Sequence, residues 1–148
     1  MLKEPRIIHR NKEGELHYLK GPALEYSDGR KEWWVNGLKH REDGPAVEEA
    51  GGGEEWWVRG QRHRADGPSI KKADGTKMWF INGQRHRTDG PAIEWKSGTK
   101  EWWVNGEIHR TDGPAIEHAD GATVWYVKGE KMESSTVELY QLIISHKG

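Results

Sequence analysis

The chain has 148 residues, no cysteine, nine tryptophans and a net charge of −1. Those figures exclude disulfide frameworks and thiolate metal sites, and the balanced charge argues against a dedicated nucleic-acid binder, which carries a basic surplus. Leu, Ile, Val and Phe together number only 24 residues. That low share marks disorder only when net charge is high, and the tryptophans supply large apolar areas, so one folded domain is expected.

Residues 1–16 are polar and keep little of the pattern that follows beyond Gly14, so they are expected to form a degenerate N-terminal cap. They contain no apolar leader, and no later run approaches the length of a membrane span. With cysteine absent, a cytoplasmic address without membrane contact is expected.

From His17 onward one phrase recurs every 23 residues. His40, His63, His86 and His109 open HREDGPAVE, HRADGPSIK, HRTDGPAIE and HRTDGPAIE, and His17 opens the looser HYLKGPALE. Between them lies a second phrase: KEWWVNG, EEWWVRG, KMWFING, KEWWVNG and TVWYVKG. A strict period of this length marks a repeat array in which each unit buries its apolar face against its neighbours. Residues 17–131 then hold five repeats.

Within a repeat, short strand-like runs are separated by turn dipeptides. Asp28-Gly29, Asp74-Gly75, Ser97-Gly98 and Asp120-Gly121 form one series. Asn36-Gly37, Arg59-Gly60, Asn82-Gly83, Asn105-Gly106 and Lys128-Gly129 form the other. Read as two-residue turns, they predict β-hairpins. The expected fold is therefore all-β, an elongated single-layer antiparallel β-meander. The HRTDGPAIE phrase is expected to be one strand bent at Asp112-Gly113-Pro114, giving two strands per repeat.

That register puts Ile93 opposite Trp102 and Trp103 opposite Ile108. One face then carries Ile93, Trp102, Val104 and His109 and is expected to be the core, with Trp33, Trp56, Trp79 and Trp125 buried in equivalent places. The other face carries the column Trp34, Trp57, Phe80, Trp103 and Tyr126. On this reading Arg41, Arg64, Arg87 and Arg110 flank the column, opposite Glu32, Glu55 and Glu101 in three of the repeats.

After Lys131 the repeat ends. Ser135 and Glu138 have capping-box spacing, and apolar residues at 139, 140, 143 and 144 follow at helical intervals. Residues 132–148 are expected to form a C-terminal cap with a helix over about residues 136–145.

The phrase WWVNG followed by HR-x-DGPA, repeated over about residues 14–131, resembles MORN-type repeats in a variant form. It is similar also to repeats of uncharacterised phage and giant-virus proteins. The resemblance implies an elongated single-layer β-sheet that engages proteins and sometimes lipids. It also carries the expectation of a virus-encoded protein that sequesters or occludes a host factor.

The His-Arg-x-Asp phrase is the most tempting chemistry, because His titrates near neutrality and Arg clamps oxyanions. A catalyst needs one site, however, and the phrase occurs four times, so a structural role is expected. Repeat histidines two strands apart sit roughly 9–10 Å from one another, too far to share a zinc with bonds near 2.0–2.1 Å. No nucleophile elbow or phosphate loop is present. The expectation is a non-enzymatic protein-binding scaffold without metal or cofactor, its oligomeric state left open. Its binding candidates are Trp34, Trp57, Phe80, Trp103, Tyr126, Arg41, Arg64, Arg87 and Arg110, since exposed aromatics and arginines anchor interfaces. The alternative is a small, nucleotide-like ligand held between aromatic and arginine side chains.

Overall fold

A computed structural model describes residues 3–147 and shows an antiparallel β-meander followed by one helix. The chain divides into two compact units, Met1–Gln84 and Arg85–Gly148. A repeat array packs neighbour on neighbour, so it has no single central core to hold it as one body.

In the first unit the sheet order is Pro5–Ile8, Leu24–Tyr26, Lys31–Glu32, Val47–Glu48, Glu54–Glu55, Ile70–Lys71 and Lys77–Met78, each antiparallel to the next. In the second it is Ile93–Glu94, Lys100–Glu101, Ile116–Glu117 and Thr123–Val124. Each repeat thus gives two strands to the sheet, as the spacing predicts. It gives two more to a separate hairpin, such as Trp57–Val58 with Gln61–Arg62 or Trp103–Val104 with Glu107–Ile108.

The two expected long strands per repeat are therefore four short ones. One break falls at the first tryptophan of each pair. Trp56 donates its N–H to Ser69 in the sheet, while its carbonyl accepts the N–H of His63 in the hairpin. The other break is the HRxDGP bend.

The two turn series differ, and this corrects the register. In the hairpin turns both central residues have positive φ, as at Asn105 (51°) and Gly106 (81°), which is the type I′ geometry expected. Trp103 accordingly sits opposite Ile108. In the other series only the glycine does, as at Gly98 (93°). There the Trp95 N–H donates to the Thr99 carbonyl and the Gly98 N–H to the Trp95 carbonyl, enclosing three residues rather than two. A type I turn closed by a left-handed glycine adds one residue, so Ile93 pairs with Glu101 and not with Trp102.

The core shifts with the register. Ala46 and Val47 are 0% and 1% exposed, and Ala23-Leu24, Ser69-Ile70 and Ala92-Ile93 are buried likewise. In each pair the first residue ends the bend and the second opens a sheet strand, so the buried row runs where the bends enter the sheet. Of the tryptophans expected in the core, Trp33, Trp56, Trp79 and Trp102 are only half-buried, and Trp125 alone is buried. In the other column Phe80 is buried, while Trp34, Trp57, Trp103 and Tyr126 are half-buried. Neither column is plainly core or plainly surface.

Both ends are capped by substitutions within the repeat plan. His9 stands where later repeats have their first tryptophan, and Tyr18 stacks on it at 3.9 Å. At the other end helix α1, Ser134–Ser145, brings Tyr140 edge-on to Trp125, with ring centres 6.4 Å apart. This contact explains why Trp125 is the buried one. The helix begins two residues earlier than expected, after Glu133, and no side chain caps it, so the Ser135–Glu138 capping box does not form. No helix of the described residues is long and apolar enough to cross a membrane.

Candidate functional site: histidine locks, arginine clamps and an aromatic–cation ladder

Each recurring residue of the HRxDGP phrase has a geometric task. The histidine Nδ1 accepts the backbone N–H of the residue 19 positions later, the first of the next hairpin turn. His17 takes that of Asn36, His40 of Arg59, His63 of Asn82, His86 of Asn105 and His109 of Lys128, at 2.9–3.1 Å. An accepting Nδ1 leaves the proton on Nε2 in neutral imidazole. Each histidine thereby ties its repeat to the next one.

The arginine beside it closes the bend. Arg110 donates from Nε to Asp112 at 2.8 Å and from Nη1 to the Pro114 carbonyl at 3.1 Å and to Glu117 at 2.9 Å. Its guanidinium lies 4.0 Å from the ring centre of Trp102. Arg41 repeats the set with Asp43, Pro45, Glu48 and Trp33, and Arg87 with Asp89, Pro91 and Glu94. Arg64 keeps Asp66, Pro68 and Trp56, but Lys71 stands in the glutamate's place. The glycine leaves room for the clamp: a Cβ at residue 113 would lie 2.7 Å from Cζ of Arg110, so the guanidinium would have to shift. Hydrogen bonds and charge from these arginines hold the Asp43, Asp66, Asp89 and Asp112 carboxyls below the usual aspartate range.

These arginines were expected beside the second aromatic column. Arg41, Arg64 and Arg110 instead cover the first, because the register shift and the break at the first tryptophan separate the two. Arg110 accordingly pairs with Glu117 of its own bend, not with Glu101. Glu101 accepts the indole N–H of Trp103 at 2.9 Å and of Trp95 at 2.7 Å.

The second column has other cations. In the first unit Lys39 Nζ lies 5.4 Å from the ring centre of Trp34 and 5.1 Å from that of Trp57. Arg62 Cζ lies 4.9 Å from Trp57 and 5.7 Å from Phe80. Trp34, Lys39, Trp57, Arg62 and Phe80 thus alternate as one ladder. In the second unit Arg85 lies 4.9 Å from Trp103, and Ile108 takes the cation's place before Tyr126. Cations over rings contribute about 0.5–1 kcal/mol each when exposed. The indole N–H groups point inward, Trp34 to Glu32 at 2.8 Å and Trp57 to Glu55 at 2.9 Å.

Lys39, Arg62 and Arg85 escaped the reading of the sequence although the signal was there. The type I′ turn places residue 39 directly opposite Trp34 and residue 62 opposite Trp57. Among the described residues, no three His, Asp or Glu side chains converge in a way that could hold a metal ion. Compared with models of known protein families and with curated proteins, the chain matches none.

Proposed function

We propose that the protein is a non-enzymatic binding scaffold that engages another protein through the aromatic–cation ladder. The observation carrying this reading is the ladder's preorganisation. Its tryptophans have their N–H groups satisfied internally and their faces held by Lys39 and Arg62, so little side-chain freedom is lost on contact. Rigid, half-buried Trp and Arg side chains are the usual anchors of interfaces. Acting by occupying its partner's surface needs no catalytic group. The His-Arg-Asp groups that could supply one are engaged in the locks and clamps.

The small-ligand alternative needs an open slot between an aromatic ring and an arginine. At Trp33, Trp56 and Trp102 that slot is filled by the protein's own guanidinium at 3.9–4.0 Å, which favours the protein partner.

Reversing the ladder's charge separates the two. Affinity capture from the native host followed by mass spectrometry, with wild type and Lys39→Glu/Arg62→Glu side by side, should show one partner retained only by wild type. Both proteins should unfold cooperatively. A partner retained equally by both would sink the assignment, and a nucleotide that raises the melting temperature would favour the alternative.

A further inference from the structure

Beyond the ladder, the bends form a second relief. Between consecutive bends lies a groove. One, of about 570 Å³, has Trp102 and Val104 among its lining and runs between residues 87–90 and 109–112. In the first unit an equivalent groove of about 470 Å³ is lined by Trp33 and Val35, between residues 18–21 and 40–43. The two share the tryptophan, the valine, the glycine and the His-Arg-x-Asp wall, but Tyr18, Leu19 and Lys20 stand in the first where Arg87, Thr88 and Asp89 stand in the second.

Three properties of this relief restrict what fits it. The first is pitch. Each repeat contributes two sheet strands, so successive bends in one unit are about 9.6 Å apart at a strand spacing of about 4.8 Å. A polyproline II helix has three residues per turn at about 3.1 Å each, and presents the same face every 9.3 Å or so. An extended strand alternates faces and repeats at about 6.8 Å, and an α-helix at about 5.4 Å, so neither stays in step.

The second is charge. Arg41, Arg87 and Arg110 each pair with two carboxylates, an aspartate and a glutamate. The arginine side chains are 21% exposed, whereas those of Asp43, Asp89 and Asp112 are 79–86% exposed. The rim of the second unit's groove is therefore anionic on both walls, and hydrogen bonds from the arginines hold its aspartate carboxyls below their usual range, whereas in the first groove Lys20 stands in place of one aspartate. The third is the lining, an aromatic ring beside a branched aliphatic, the kind of slot that takes proline.

We infer that the second unit's groove binds a basic, proline-rich peptide segment in the polyproline II conformation, with a proline seated beside Trp102 and Val104 and cations one helical turn apart facing Asp89 and Asp112. The site stands apart from the ladder and does not depend on it. Arginine or lysine in the ligand meets a carboxylate on each wall, and its prolines enter with little conformational entropy to lose.

Isothermal titration of the full chain tests this with a synthetic peptide of four Pro-Pro-Arg triplets. The comparison is a peptide of four Gly-Ser-Arg triplets, which has equal charge and no preformed helix. The proline peptide should bind at least tenfold more tightly, and its affinity should fall as salt rises. The combined variant Asp89→Asn/Asp112→Asn keeps an oxygen acceptor for each arginine, so it should fold, yet lose tenfold or more of that affinity. Lys39→Glu/Arg62→Glu should bind the peptide like wild type, so failure of the ladder reading and failure of this one are distinguishable. Equal affinity for the two peptides reduces the site to bare charge attraction and overturns the inference. So does absence of binding, or binding of a β-1,4-linked oligosaccharide with no response to the proline peptide.

Discussion

His63 Nδ1 accepts the backbone N–H of Asn82 at 3.1 Å, joining one repeat's bend to the next repeat's turn. Asn82 has φ of 48°, a conformation that asparagine tolerates better than most residues. His63→Phe removes the acceptor while keeping a ring, and should cost about 0.5–1.5 kcal/mol, the usual net value of one hydrogen bond. Asn82→Val should cost about 1–2 kcal/mol through its left-handed backbone, whereas Asn82→Gly should be close to neutral. Urea denaturation midpoints check all three.

The clamp glycines answer to the arginines. Gly113→Ala must push the Arg110 guanidinium off Trp102, at a cost of about 1–3 kcal/mol as for other overpacked sites. Alone it destabilises; in an Arg110→Ala background most of the cost should vanish. A double-mutant cycle measures the coupling. Additive costs would show that the glycine serves the backbone and not the arginine.

How far the sequence could be read turns on the glycines of the two turn series. The period and the Asn-Gly turns make the β-meander legible, because type I′ geometry demands two residues of positive φ and Asn105-Gly106 supplies them. The Ser97-Gly98 series resembles that signal but supplies only one, and the extra turn residue shifts Ile93 from Trp102 to Glu101. Side chains alternate along strands, so one residue of slip exchanges the faces. That is why Arg41, Arg64 and Arg110 lie on the first aromatic column and Lys39 and Arg62 on the second. The terminal helix was legible from its period, while its start was not, since Glu133 offers no side-chain cap.

Acid should weaken the clamps in a definite window. The folded carboxyls of Asp43, Asp66, Asp89 and Asp112 lie below the unfolded value, near 3.9 for aspartate. Their contribution is therefore present above about pH 4 and is lost as pH falls through their lowered folded values. Chemical denaturation as a function of pH should show stability declining there. The fourfold Asp→Asn variant should show a shallower decline.

The C-terminal cap is testable at one ring. Tyr140→Ala should expose Trp125 and cost about 0.5–1.5 kcal/mol beyond the area lost, as for other aromatic pairs. Tryptophan emission should shift to the red. An unchanged spectrum and stability would mean that α1 does not protect the last hairpin.

The central claim is that the recurring histidines are locks between repeats. Nuclear magnetic resonance tests it most directly, by the scalar coupling that a nitrogen-to-nitrogen hydrogen bond transmits. Five such couplings are predicted: from Nδ1 of His17, His40, His63, His86 and His109 to the backbone nitrogens of Asn36, Arg59, Asn82, Asn105 and Lys128. Each of those rings should carry its proton on Nε2. Protons on Nδ1, or tautomers in free exchange without any coupling, would contradict the account.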